Sequence, residues 1–315
     1  MLQSLFLFFT IAGVPIAIAM SGASLIYVII SGNLPPFVVV HRMISGVDSF
    51  PLLAVPFFIL AGNLMNNAGI TNRIFEIATS LVGWLRGGLG HVNVVASIIF
   101  SGMSGTAIAD AAGLGTVEIK AMKDQGYPVE FAVGVTAASA TLGPIIPPSL
   151  PIVIYAMLAN VSVGGMFLAG IVPGLLIATL IMLTVSYFAW KNQWGGDISF
   201  NKRLFSKGLL EITIVVGWPV VTWLLIEMGA PPRTTIFLGL ATLFLADWWF
   251  RFTAVMPMMT PVLLIGGMTV GLFTPTEGAI AACMWALVLG LFWYKTLSLR
   301  QFVRISIETV ETTAI

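Results

Sequence analysis

Phe100-Ser101-Gly102-Met103-Ser104-Gly105-Thr106 and, further on, Gly143-Pro144-Ile145-Ile146-Pro147-Pro148-Ser149 are two places where an apolar run gives way to residues that expose backbone. The chain around them is 58% hydrophobic and only 9% charged over 315 residues, against roughly 25% charged in an ordinary soluble domain. Its mean hydropathy is +1.02. Such a composition describes an all-α polytopic membrane protein. Hydrocarbon cannot hydrogen-bond a free N–H or C=O, so broken backbone at membrane depth persists only when buried in protein or lining a polar cavity. Two breaks close together therefore point to an ion or solute site built from discontinuous helices.

Other counts narrow the field. The net charge of +1 offers no basic surface for nucleic acid. One cysteine, Cys283, excludes an intrachain disulfide framework, and two histidines, His41 and His91, do not make a His-rich metal centre. The N-terminus has no basic region and no small-residue cleavage site, so it reads as a first membrane segment and not a removable signal.

Working outward along the chain, Leu5 to Ile30 is one kinked span or two short segments around Pro15, and Gly32 to Val47 reads as a connection. Phe50 to Met65 is apolar, Asn66 to Asn72 a turn, and Arg73 to Trp84 amphipathic with Ile74, Ile77 and Leu81 at helical spacing. His91 to Phe100 is too short to cross a core that needs roughly twenty residues, and the Ser/Gly break follows it at once. Ala107 to Val117 is a second short run, ended by Glu118, Lys120, Lys123 and Asp124. Short run, break, short run, charges predicts a re-entrant helical hairpin. Phe131 to Thr141 and Leu150 to Leu158 read as one span broken at the Pro-rich segment, and Met166 to Trp190 as a plain span. Lys191 to Lys207 is the most polar loop, and its basic residues predict the cytoplasmic side. Further spans or half-spans run over 209–228, 235–250, 254–272 and 278–294, with Trp190, Trp194, Trp248, Trp249, Arg251 and Trp293 at interfaces. Residues 297–313 are amphipathic. Pro56 with Gly62 and Pro261 with Gly267 share a spacing that hints at an internal repeat.

Four constellations carry chemistry. Ser101, Gly102, Ser104, Gly105 and Thr106 fit a hairpin tip whose hydroxyls and carbonyls bind a hard cation, with glycines admitting the backbone closely and helix N-termini facing an anion; small-residue helix packing explains the same residues more simply. Gly143, Pro144, Pro147, Pro148 and Ser149 fit an unwound segment with free carbonyls, since clustered prolines remove donors. Asp110 is an intramembrane carboxylate, a site residue by default or a solvated cap of the hairpin. Thr274-Pro275-Thr276-Glu277 is a capping box whose Thr274 and Thr276 could serve as oxygen ligands in addition. Gly102-Met103-Ser104-Gly105 also resembles the serine motif of rhomboid intramembrane proteases, but a nucleophile needs a base and both histidines precede Ser104. The protein is read as no enzyme.

At these motifs the chain resembles the large membrane subunit of tripartite ATP-independent periplasmic (TRAP) transporters. The resemblance runs through Ser45 to Phe58, Ser101 to Ala107, Ala109 to Gly115, Gly126-Tyr127, Gly143 to Ser149, Ala169 to Gly174 and Gly271 to Glu277, in order along nearly the whole chain. It implies a sodium-driven importer of an organic acid, a carboxylate such as a C4-dicarboxylate or sialic acid, in the bacterial inner membrane. It implies an inverted-repeat, elevator-type fold, a small four-helix membrane subunit and a periplasmic binding protein as partners, and no cofactor beyond Na⁺ as coupling ion. Residues 1–90 would then be scaffold helices and the amphipathic arm, 91–160 the first hairpin and broken helix, 161–207 the link between repeats, and 208–315 an incomplete second repeat. Family members continue into a second hairpin and Pro-rich break, so the chain is expected to be truncated. On this reading Na⁺ sits at Ser104, Thr106 and Gly143, and binding it shapes a carboxylate site. The alternatives are a channel-like membrane protein without a delivery partner and a non-transporting fragment stable only with other chains.

Overall fold

The computed structural model describes residues 1–47, 53–194, 196, 198–250, 252, 254–269 and 271–314. The Asp48 to Leu52 part of the first motif and the interfacial Arg251 lie outside the described residues, as do the side chains of Trp248 and Trp249. The chain divides into two units, Met1–Leu52 and Leu53–Ile315.

The first unit holds α1 (Leu2–Ile11), α2 (Ile16–Ser31) and α3 (Phe37–Val47). Leu5 to Ile30 is thus two helices. The cause is local: Gly13 takes a φ of +80°, and Pro15 stands at the N-cap of α2. Residues 37–47 form a helix where a connection was expected. Pro35 and Pro36 start it: their carbonyls accept from the amides of Val38 and Val39.

The second unit is helical throughout its ordered elements. α4 (Ala54–Asn67) and α5 (Ile70–Val82) are followed by α6 (Gly88–Ser104), α7 (Ala107–Asp124), α8 (Val129–Ala140), α9 (Leu150–Ala159) and α10 (Val163–Lys191). Then come α11 (Lys202–Glu227), α12 (Pro232–Phe250), α13 (Val255–Thr269), α14 (Pro275–Val288) continuing as a π-helical turn over Leu289–Trp293, and α15 (Leu299–Ala314). Among the described residues, Val163–Lys191, Lys202–Glu227 and Pro275–Trp293 are long and apolar enough to cross a membrane.

Three expectations change. The loop after α10 is shorter than read, because Lys202 to Lys207 form the first turns of α11, where the Asn201 side chain caps the amides of Arg203 and Leu204. The Asn66 to Asn72 turn shrinks to Ala68-Gly69, with Gly69 at φ +71°. Asn66 and Asn63 then act from the last turns of α4, accepting from the Thr71 hydroxyl at 2.8 Å and donating to Thr309 of α15 at 3.0 Å. Charged residues do not end α7, which runs on through Glu118 to Asp124 because Glu118 is buried and hydrogen-bonded inside the protein.

Two apolar clusters hold the second unit. The larger centres on α4, α5 and α14, where Phe58, Leu64, Ile70, Ile74 and Ala282 are buried. Burying such side chains contributes roughly 1.5–3 kcal/mol each by water-transfer reckoning. The smaller lies beneath α8 and α10, with Leu142, Val135, Ala178 and Val185. Trp194, expected at an interface, closes this cluster: its ring centroid stands 4.7 Å from those of Tyr127 and Phe131. Arg73 of the amphipathic α5 lies 4.0 Å over the Tyr294 ring, a cation–π contact tying α5 to the turn after α14.

Candidate functional site

The first predicted break is smaller than the sequence indicated. α6 keeps its helical bonds through Ser101, Gly102, Met103 and Ser104, and the chain reverses in Gly105-Thr106 alone. Gly105 takes the left-handed conformation (φ +63°) and its amide donates back to Ser101 O at 3.2 Å. Thr106 is extended, and its hydroxyl accepts from the Ala109 amide at 3.1 Å to start α7. A helix N-terminus leaves its first amides without intrahelical partners. Here Thr106 satisfies that of Ala109 through its hydroxyl and that of Asp110 through its carbonyl at 3.3 Å, which leaves the amides of Ala107 and Ile108 without an intrahelical acceptor. The two helices form a helix–turn–helix hairpin.

The second break is real and longer. α8 stops at Ala140, and helical bonding resumes at Leu150. Ser149 organises the re-entry: its hydroxyl donates to Pro144 O at 2.6 Å and accepts from the Ile152 amide at 3.4 Å. Pro151 has no N–H to satisfy. The carbonyls of Gly143, Pro147 and Pro148 have no hydrogen-bond donor among the described residues.

The tip and the break touch. The Leu150 amide donates to Gly105 O at 3.3 Å. A Cβ on Gly143 would stand 2.8 Å from the carbonyl carbon of Thr106 and 2.9 Å from its oxygen, and one on Gly105 would stand 2.6 Å from Pro148 O. Both glycines are required for two backbones to approach this closely. Small residues on three further helices receive the pair. Gly62 of α4 lies against Ser104, Pro261 of α13 against Gly102, and Gly170 of α10 against Ile145 O. Gly174, one turn along α10, accommodates Ile146. The Gly/Pro motifs at 169–174 thus seat the broken segment.

Ser104 is fully buried and its hydroxyl has no hydrogen-bond partner. A buried unsatisfied hydroxyl in a native fold calls for an explanation such as a missing ion or water. Ser104 Cα and Cβ lie against Gly62 of α4; the Ser104 and Thr106 hydroxyls and the free carbonyls of the break are all neutral oxygens, the chemistry a hard cation takes. Ser101 is also buried, but its hydroxyl is used by Ile98 O at 2.7 Å. No group of three or more His, Cys, Asp or Glu residues suited to a metal occurs among the described residues.

Asp110 adjoins the tip through its amide, which donates to Thr106 O at 3.3 Å. It lies one turn inside α7, 1% exposed. Thr274 is engaged in the expected capping box: its hydroxyl donates to Glu277 Oε2 at 2.8 Å and accepts from the Glu277 amide at 3.4 Å. α14 packs on α4 and α13, and Thr276 in its first turn is buried.

A polar network went unread in the sequence. Asn93 of α6 donates to Glu118 Oε2 of α7 at 2.6 Å and to Thr136 Oγ of α8 at 2.7 Å, and Ser139 donates to Asn93 Oδ1 at 2.6 Å. All four are buried. The signal was available: Asn93, Ser97 and Ser101 recur every four residues and mark one polar stripe on an apolar helix.

Comparison with known proteins agrees with this architecture. The family model for the tripartite ATP-independent periplasmic transporter, DctM component, matches residues 4–315. The sialic acid TRAP transporter large permease protein SiaM of Vibrio cholerae is 42% identical over 96% of this chain and 61% of its own length. The sialic acid TRAP transporter permease protein SiaT of Haemophilus influenzae is 39% identical, over 96% and 42% respectively. The C4-dicarboxylate TRAP transporter large permease protein DctM of Rhodobacter capsulatus is 30% identical, over 96% and 63%. The chain therefore spans about 61% of the length of the first of these large permeases. With a family match across nearly its whole length, the chain belongs to the large membrane permease family of TRAP transporters, a family of transporters and not of enzymes.

Proposed function

We propose that this chain forms the first half-site of a sodium-driven secondary transporter that imports an organic acid across the bacterial inner membrane. A periplasmic binding protein delivers the substrate and a small membrane subunit braces the scaffold. The observation that carries the reading is the docking of Gly105-Thr106 on Gly143 to Leu150, together with a buried, unsatisfied hydroxyl on Ser104, the residue just before Gly105.

Na⁺ binds between Ser104, Thr106 and the carbonyls at Gly143, Pro147 and Pro148. The ion replaces its hydration shell with neutral oxygens held by two backbones that already meet. Its charge, together with the Ala107 and Ile108 amides at the N-terminus of α7, then favours a carboxylate at the tip. No fixed basic residue is needed. Family relatives carrying names for sialic acid and C4-dicarboxylates support an organic-acid cargo. In an elevator mechanism the α6–α7 hairpin and the α8–α9 pair move as one body against an inverted repeat. Proteoliposome uptake, with binding protein and small subunit present, tests this in a permease extended to the length of its relatives. Ser104→Ala with Thr106→Ala should lose Na⁺ stimulation, and undiminished stimulation would sink the assignment.

A further inference from the structure

A cavity of about 680 Å³ opens where three segments of the second unit converge, lined by Arg86, Trp190, Lys191, Gln193 and Trp194. Arg86 comes from the turn between α5 and α6, Trp190 and Lys191 from the last turn of α10, and the other two from the loop that follows. Backbone contacts hold these segments together. Arg86 pairs with Gly196 in an antiparallel bridge, and a Cβ on Gly87 would stand 2.7 Å from that of Ala189 on α10. The Trp194 ring is fixed by Tyr127 and Phe131, whose centroids lie 4.7 Å away.

Among the described residues, the cavity is lined by two cations and no carboxylate. Arg86 and Lys191 are both exposed. The ion pairs among the described residues, Lys207 with Glu211 and Arg304 with Glu308, involve neither. The dipole at the C-terminus of α10 would account for Lys191 by itself, but not for Arg86, which another element supplies. Gln193 is an independent observation. α10 ends in a Schellman motif, in which the Trp194 amide donates to Ala189 O at 3.0 Å and the Gln193 amide to Trp190 O at 3.3 Å. Glycine usually fills the left-handed position of that motif, yet here it is Gln193 at φ +56°. A residue other than glycine held there costs stability, and such residues cluster at ligand clamps. In return the cavity gains two amide donors.

Depth in the membrane selects the ligand. α10 is a 29-residue apolar helix long enough to cross a bilayer, and the cavity lies at its last turn, the level of lipid headgroups. Trp190 is 70% exposed, as befits an interfacial tryptophan. We propose that Arg86, Lys191 and Gln193 bind the phosphate of an anionic phospholipid, and that this one lipid bridges the α5–α6 turn and the end of α10. Two cations on separate elements, with an amide between them, suit the charge and oxygens of a phosphate diester. A zwitterionic lipid suits them less, because its phosphate is already offset by its own ammonium. The basic loop beside the cavity is the one that the positive-inside rule assigns to the cytoplasm, where basic pockets between helices meet anionic headgroups.

Native mass spectrometry of the purified chain in detergent, titrated with phosphatidylglycerol and with phosphatidylcholine of the same acyl chains, tests this. One phosphatidylglycerol should be held about tenfold more tightly than phosphatidylcholine, the scale set by two basic residues at a headgroup. Arg86→Gln combined with Lys191→Gln should abolish that preference. Lys202→Gln combined with Arg203→Gln, an equal loss of charge at the exposed start of α11, should keep it. Gln193→Gly should weaken phosphatidylglycerol binding while raising the thermal midpoint, because glycine relieves the left-handed backbone. Equal affinity for the two lipids overturns the proposal. So does an equal loss in both double variants, which would mark a diffuse effect of charge. Release of the lipid by inorganic phosphate at the same concentration also overturns it, since the site would then belong to a soluble anion.

Discussion

The amide of Leu150 donates to the carbonyl of Gly105 at 3.3 Å, so the first residue of α9 is hydrogen-bonded to the turn between α6 and α7. This bond uses one of the N-terminal amides of α9, and Ser149 and Pro151 dispose of the next two. At the start of α7 the Ala107 and Ile108 amides have no intrahelical acceptor. The two helix starts at this junction therefore differ in which amides the other chain segment takes up.

Substitution of the two contact glycines should separate them from ordinary ones. Gly105→Ala meets both a left-handed φ and Pro148 O, and Gly143→Ala meets the Thr106–Ala107 peptide. Each is expected to cost about 1–3 kcal/mol, the scale of a strained backbone residue, seen as a lower midpoint of thermal unfolding in detergent. Gly134→Ala, with open space around it on α8, should leave the midpoint unchanged or raise it by the helix-propensity difference of up to about 1 kcal/mol.

Two serines three residues apart should behave oppositely. Ser104→Ala removes a hydroxyl that has no partner, so the sodium-free protein should be as stable as wild type or slightly more so, while its stabilisation by Na⁺ over K⁺ disappears. Ser101→Ala removes a hydroxyl already bonded within its own helix and should keep the Na⁺ response. Thermal midpoints in matched NaCl and KCl decide between them, and equal Na⁺ responses in the two variants would refute the difference.

Asn93 should be costly to truncate and cheaper to replace together with its partner. Asn93→Ala strands Glu118, Thr136 and Ser139 in the interior, with an expected penalty of about 1–3 kcal/mol for a buried group left unsatisfied. Glu118→Gln keeps an oxygen for the Asn93 amide and should be nearly neutral. Asn93→Leu combined with Glu118→Met should recover part of the loss of Asn93→Leu alone. A double-variant cycle on chemical unfolding measures this coupling.

Thr274→Ala removes the hydroxyl half of a capping box and leaves the bond from the residue 274 amide to Glu277; it is expected to cost about 1 kcal/mol, the usual worth of an N-cap. Because the Thr274 hydroxyl is taken up by Glu277 as both donor and acceptor, the Na⁺ response of the variant should equal that of wild type. A lost response would place Thr274 among the ligands after all.

Most helices, and the pairing of a hairpin with a broken helix, were legible because hydrophobic runs and Gly/Pro clusters report backbone exposure directly. The amphipathic arms at α5 and α15 followed from periodicity in the same way. What misled was reading charge and small polar residues as helix ends. Glu118 looks like a terminator but is buried on Asn93, a partner 25 residues earlier. Ser101 to Ser104 look like a break but remain helical, because Gly62 and Pro261 on other helices make room for them. Both errors concern contacts distant in sequence, which local composition does not encode. Asp110 stands out in the sequence as a carboxylate in an apolar run, but its burial depends on packing with other helices that local composition does not report.

The central claim is that sodium binds where the hairpin tip meets the broken helix. Equilibrium binding of radiosodium to the purified chain tests it most directly, with K⁺ holding ionic strength constant. The account predicts saturable binding that Ser104→Ala and Gly143→Ala each weaken at least tenfold, about 1.4 kcal/mol, and that Asp110→Asn leaves in place. Saturable binding unchanged in the first two variants, or lost only in the third, would contradict it.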